Sequence, residues 1–231
     1  MQDEIGKKEI LEKLAKTVMD GDEERAKKAA EEALKAKIDP VSAIKDGLTK
    51  GIKIVGEKFH NFEIFLPEVI LAADAMKAAM AVLKPHIAAE RANEVMRGKA
   101  VIGTVRGDIH DIGKNLVAAM LEVSGYEVHD MGTDCPSTKF IEKAKEVGAD
   151  IIGMSSLMVT SMCYQKDVID YLKDMNERNK YWIMVGGGPV TPQWTIEIGA
   201  DGYGRFSDDA VEVANTLMEK GSEIKLPVIK E

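Results

Sequence analysis

Apolar residues in the first 88 positions recur every three or four residues, the spacing that lines one face of a helix. Ile10, Leu11, Leu14 and Val18 make a first stripe, closed by Asp20-Gly21-Asp22. An alanine-rich second helix is predicted from Glu23 to Lys37. Asp39-Pro40 reads as the next start, an N-cap side chain followed by proline in the first turn. Its stripe is Val41, Ile44, Leu48, Ile52, Val55 and Phe59. Pro67 opens a fourth helix carrying Ile70, Ala73, Met76, Met80 and Leu83. Four helices joined by short connections predict a small bundle over residues 1–88. Residues 89–98 are polar with mixed charge and read as a linker.

From Lys99 the pattern changes to short apolar runs alternating with amphipathic stretches. The runs predict strands near 99–105, 127–131, 151–155, 181–185 and 201–203. Helices are predicted near 113–124, 137–147, 161–178, 192–198 and 207–220. Five such units over 99–231 imply a doubly wound parallel sheet of five strands, flavodoxin-like (Rossmann-type), with right-handed crossovers. The fold class is therefore α + α/β, with a switch point expected between the first and third strands.

Composition narrows the partners. Apolar residues are 45% of 231 positions, ample for packed cores, while aromatics at 5% and 13 methionines favour helix-rich packing over an all-β fold. A net charge of −8 argues against a general nucleic-acid binder, which needs a basic surface. The first apolar residues are scattered among Lys and Glu, so no secretory leader is expected. No apolar run approaches the roughly 20 residues of a membrane span. The expectation is a cytoplasmic protein without membrane contact. Cys135 and Cys163 lack CxxC spacing, so two reduced thiols are expected rather than a zinc site or disulfide.

Candidate chemistry gathers after three strands. The first leads into Gly107-Asp108-Ile109-His110-Asp111-Ile112-Gly113-Lys114-Asn115. The third leads to Ser155-Ser156-Leu157 and on to Thr160-Ser161, and the fourth to Gly186-Gly187-Gly188. All fall at the carboxyl edge of the sheet, where open α/β folds bind ligands. A histidine there can offer one ring nitrogen to a metal while a carboxylate two residues earlier holds the other. Small residues after strands three and four open room beside it for a long ligand group. Each signal alone is modest; their shared edge makes the argument.

Asp108-x-His110-x-x-Gly113, Ser155-x-Leu157 and Gly186-Gly187 together resemble the signature of cobalamin-binding domains of the methionine synthase type. With the helical segment before them, nearly the whole chain resembles the corrinoid proteins of methylamine, methanol and methoxy-compound methyltransferase systems. The resemblance implies cobalamin or a related corrinoid, carried as methylcobalamin, with His110 as the cobalt ligand. Asp108 would bond the far nitrogen of His110, and Ser161 would extend that relay. Asp111, Ile112 and Gly113 would sit against the cofactor. Ser155, Leu157, Gly186 and Gly187, with Tyr203 and Gly204, would line a channel for the displaced nucleotide tail. Phe59 and Leu66, in Phe59-His60-Asn61-Phe62-Glu63-Ile64-Phe65-Leu66-Pro67, resemble the residues that cap the other cobalt face, making 1–88 a cap domain.

The implied function is a methyl carrier that does not turn over alone. A substrate-specific methyltransferase would load it from a methylamine, quaternary amine, methanol or methoxy compound. A methylcorrinoid:acceptor methyltransferase would unload it to coenzyme M or tetrahydrofolate, and a reductive activase would maintain the cobalt. The alternative is a cobalamin-dependent sensor or regulator, although such proteins usually add a DNA-binding domain for which residues 1–40 are too few and too acidic. Gly204-Arg205-Phe206-Ser207 departs from the family, which passes quickly from Asp-Gly-Tyr into the last helix. His60, His86 and His129 match no signature position and read as structural or surface residues. Lys114-Asn115 reads as a helix opening rather than a cobalt contact.

Overall fold

The computed structural model describes residues 2–87 and 96–230. Most of the predicted linker, residues 88–95, lies outside the described residues. Two compact units are present: one takes the chain up to Met96 together with Glu122–Gly125, the other takes Arg97–Leu121 and the chain from Tyr126 on. No described helix is long and apolar enough to cross a membrane.

The first unit is helical. It contains α1 (Gln2–Met19), α2 (Glu23–Lys35), α3 (Pro40–Ser42), α4 (Thr49–His60) and α5 (Leu66–Leu83). Caps set the starts: Asp22 accepts from the Arg25 N–H at 2.9 Å, and Asp39 accepts from the Ser42 N–H at 3.2 Å. The third predicted helix is not uniform. Residues Ala43–Leu48 form a π-helical turn between α3 and α4, in which the Thr49 N–H reaches back to the Ile44 carbonyl.

Packing is close because small residues meet. Ala26, Ala29, Ala30 and Ala33 of α2 are fully buried, as are Ala72, Ala75 and Ala79 of α5. On α4, a Cβ built at Gly51 would lie 2.4 Å from the Ala15 carbonyl oxygen of α1. Gly47, one turn earlier, would meet the Leu14 Cβ at 2.9 Å. These two glycines let the helix backbones touch where any side chain would hold them apart.

One predicted core position is wrong. Ile70 is 41% exposed, while Val69 and Ala72 are fully buried. The helix begins at Leu66, and Glu68 accepts from the Phe65 N–H at 3.1 Å, which fixes its rotation. The inward stripe is then Val69, Ala72, Ala73, Met76, Met80 and Leu83, and Ile70 lies about 100° off it. Phe59 and Leu66 are half-buried in this unit.

The second unit is a parallel sheet between helices. Its strands are β1 (Gly98–Thr104), β2 (Tyr126–Asp130), β3 (Ile151–Ser155), β4 (Trp182–Gly186), β5 (Gly202–Gly204) and β6 (Val228–Lys230). They run in the order β2-β1-β3-β4-β5-β6, each pair parallel. The helices are α6 (Ile112–Val123), α7 (Ser137–Val147), α8 (Cys163–Asp174), α9 (Pro192–Ile198) and α10 (Ser207–Lys220).

Both faces of the sheet are buried, as the continuous apolar runs require. Val101, Ile152 and Ile183 pack with Phe140, Ile169 and Leu172 on one face. Ala100, Ile102, Ile151 and Met184 pack with Leu121, Val213 and Leu217 on the other. The order places the switch point between β1 and β3, as the five-unit pattern predicts.

Two expectations need correction. The sheet has six strands, not five: β6 adds beside β5, pairing Val228 with Gly202 and Ile229 with Tyr203. Three residues are too few to show a strand period, so β6 takes its order from its neighbour. Helix α8 spans Cys163–Asp174 rather than 161–178, because the Ser161 N–H closes a turn on the Met158 carbonyl and Asn176 takes a positive φ of 55°. Ser161 therefore sits on the loop before the helix.

The Gly51 contact gives a direct test. Alanine improves helix propensity by about 1 kcal/mol over glycine. Its methyl would strike the Ala15 backbone, which has no rotamer to yield. Gly51→Ala is therefore expected to lower stability by about 1–3 kcal/mol, read as a fall in Tm by circular dichroism.

Candidate functional site

The turn after β1 carries a buried charge. Asp108 has no solvent exposure. Its Oδ1 accepts from the His110 N–H at 3.1 Å and lies 2.7 Å from His110 Nδ1. Its Oδ2 accepts from the Leu157 N–H at 2.7 Å, the Met158 N–H at 3.2 Å and the Ser161 hydroxyl at 3.0 Å. Burial pushes this carboxyl up, but the hydrogen bonds from the His110 backbone and ring, Leu157 and Ser161 outweigh it and hold the pKa at about 2. Asp108 is thus an anion at neutral pH.

That anion fixes the histidine beside it. Nδ1–H of His110 donates to Asp108, so Nε2 carries the free lone pair. The Thr104 hydroxyl donates to the His110 carbonyl at 2.9 Å and pins the backbone. The His110 side chain is 48% exposed, so the ring is oriented from behind and open in front.

Behind the pair lies a member the sequence did not single out. The Ser156 hydroxyl, fully buried, is 2.7 Å from the Ser161 hydroxyl and 3.0 Å from the Met158 carbonyl. Ser161 has one proton and three acceptors in reach, Asp108, the same Met158 carbonyl and the Ser156 oxygen. A donation from Ser156 to the Ser161 oxygen leaves the Ser161 proton for Asp108. Side by side, Ser-Ser reads as loop composition; only folding turns Ser156 toward Ser161.

A cavity of about 670 Å³ opens in front of His110 and runs between the ends of β1, β3 and β4. His110, Asp111, Ile112, Gly113, Ser155, Leu157, Gly186, Gly187, Tyr203 and Gly204, all singled out in the sequence, line it together. Asp108 and Ser161 stand behind His110 rather than on the wall. Arg205, Phe206 and Ser207, the departure noted in the sequence, also line the cavity. Phe59 and Leu66 belong to the helical unit. Lys114 does more than open a helix. Its buried ammonium donates to Asp130 at 2.5 Å and to the Asn115 side chain at 2.6 Å, tying the start of α6 to the end of β2.

The walls are tight where a thin group would pass. Gly187 has φ +121°, and a Cβ there would lie 1.8 Å from the Ser156 carbonyl oxygen. Only glycine fits. At Gly113, by contrast, a Cβ would meet nothing within 4 Å. Ile109, Ile112, Val159 and Phe206 leave apolar side chains 65–78% exposed on this unit. Among the described residues no cluster of three His, Cys, Asp or Glu could hold a metal by itself. One oriented imidazole, exposed apolar side chains and a cavity edged by Ser155, Gly186, Gly187 and Gly188 would suit a metal that arrives inside a flat organic ring with a tail.

Comparison with known proteins agrees with that fit. Family models described as B12 binding domains match residues 98–212 and residues 10–84. A corrinoid protein of Desulfitobacterium hafniense is 47% identical over 91% of this chain and 98% of its own. Trimethylamine corrinoid protein 2 of Methanosarcina acetivorans is 46% identical over 89% of this chain and 95% of its own. The crystal structure of a methanol:cobalamin methyltransferase complex from Methanosarcina barkeri superposes with a TM-score of 0.80 at 30% identity, covering 91% of this chain and 80% of the matched one. With both domain models matched and relatives near half identical along almost their whole length, the chain belongs to the B12-binding corrinoid proteins.

Proposed function

We propose that this protein is a corrinoid methyl carrier serving a methylamine or methanol type of methyltransferase system. The observation that carries the reading is the His110 ring, fixed through Nδ1 by the buried Asp108 and lining the cavity with Nε2 free. The relatives point to the substrate class: one is named for trimethylamine, and a matched structure is a methanol:cobalamin methyltransferase complex. A methylamine is the preferred donor, since the trimethylamine relative is the more similar. The acceptor is a thiol such as coenzyme M or a reduced folate, reached through a second methyltransferase, with a reductive activase to restore the cobalt.

Bound in this cavity, the corrinoid supplies a cobalt centre that accepts a methyl group and releases it to another acceptor. The protein supplies the ligand and its control. His110 Nε2 would hold the cobalt, and that atom is also where the ring would take a second proton, so ligation and protonation compete for one lone pair. Asp108 accepts from Nδ1–H and so aims Nε2 toward the cavity. Ser161 and the two backbone N–H groups of Leu157 and Met158 keep Asp108 ionised, so the relay stays set across neutral pH. Ser155, Gly186 and Gly187 would flank the nucleotide tail, while Ile112 and Phe206 offer apolar contact to the ring.

Two measurements test the assignment. Protein grown on ¹⁵N-histidine and loaded with cobalt(II) corrinoid should show an altered nitrogen superhyperfine pattern, and His110→Ala should abolish the histidine coupling. An isotope-insensitive spectrum would return the ligand role to the cofactor's own base.

The low pKa of Asp108 also predicts acid behaviour. A depressed carboxyl contributes stability above its unfolded pKa and loses it as pH falls through the folded value. The window therefore runs from the ordinary 3.8 down to about 2. The contribution lost across it is about 2 kcal/mol. Asp108→Asn should flatten this acid limb in urea unfolding series and lower stability at neutral pH. An unchanged limb would mean the carboxylate is not held as described.

A further inference from the structure

Beyond the relay, a buried amide stands between the two strands that wall the channel. Gln165, in the first turn of α8, is fully buried. Its Nε2 donates to the Met154 carbonyl at 3.1 Å and to the Gly186 carbonyl at 3.3 Å. Its Oε1 accepts from the Trp194 indole N–H at 2.9 Å. All three polar positions are used, and the indole sets the orientation: a flipped amide would place its oxygen against two carbonyls.

The location is what gives this network a role. Met154 and Gly186 stand at the carboxyl ends of β3 and β4, where Ser155 pairs with Gly186 and the ladder ends. Beyond that register the two strands no longer pair residue by residue. The Ser156 N–H also reaches the Gly186 carbonyl, at 3.0 Å, so both channel walls converge on one oxygen. One residue further, Gly187 lies against the Ser156 backbone with no room for a methyl. Gln165 itself is not on the cavity wall.

We propose that Gln165, held by Trp194, is a positioning residue that sets the spacing of Ser155–Leu157 against Gly186–Gly188. It thereby sets the affinity for the nucleotide tail rather than for the corrin ring. The inference rests on the tail-channel reading given above. A general packing role would affect tailed and tailless corrinoids alike; a spacing role affects the tailed one.

The test measures Kd of the full-length apoprotein for aquacobalamin and for aquacobinamide, which has the same ring without the nucleotide. Wild type should prefer cobalamin. Gln165→Met, similar in size but without amide hydrogen bonds, should weaken cobalamin binding roughly tenfold and leave cobinamide within about twofold. Trp194→Phe, which removes one of the three bonds, should move the ratio in the same direction by less. Cobinamide affinity also reports on folding of each variant. Equal weakening of both ligands, or an unchanged ratio in Gln165→Met, overturns the inference and leaves the channel standing. A wild-type protein with no preference for cobalamin overturns the channel reading itself, and the inference with it.

Discussion

A single buried carboxylate organises the second unit's working edge. An ionised group without solvent exposure is costly, and its cost must be met by donors. Asp108 receives them from its own turn and from the loop after β3. The charge therefore does two things at once. It orients the ring of His110, and it draws the β1 and β3 loops together at the switch point of the sheet. Substituting the aspartate removes an acceptor from several donors together, so the histidine, Ser161 and the Leu157 backbone respond as one group.

Close backbone approach is the second constraint, and both units depend on it in different ways. In the helical unit, Gly47 and Gly51 bring α4 onto α1, and alanines bring α2 onto α5. In the sheet unit, Gly187 brings the β4 loop against the Ser156 backbone at the edge of the cavity. The apolar side chains exposed near its mouth, Ile109, Ile112 and Phe206, are poor surface residues by themselves but suit a broad organic ring.

The same arrangement leaves one ring nitrogen of His110 toward the cavity while the other is held from behind. Nδ1 lies 2.7 Å from the ionised Asp108 carboxylate, so Nε2 is the nitrogen left facing the cavity. Rigid strands and buried hydroxyls hold the rear of the relay, so the chemistry in front need not reorganise the fold.

Much of this was legible without coordinates. Apolar periodicity defined the helical segment, the βα alternation and the switch point, because these are local patterns with one burial solution each. Asp108 and His110 were legible because they lie two positions apart on one turn. The phase of α5 was not, since a cap at Phe65 and Glu68, rather than the apolar count, turned Ile70 outward. Nor was β6, three residues that become a strand only beside β5. Ser156 and Gln165 stayed hidden for a related reason. Their roles depend on hydrogen bonds with Ser161, Gly186 and Trp194, the last 29 residues along the chain, and nothing in a single sequence marks a serine or glutamine as facing such partners. Sequence alone determined most elements and singled out the Asp108–His110 turn, because both are local patterns; tertiary structure decided which polar groups, buried together by long-range packing, hold that turn and its neighbouring loops in place.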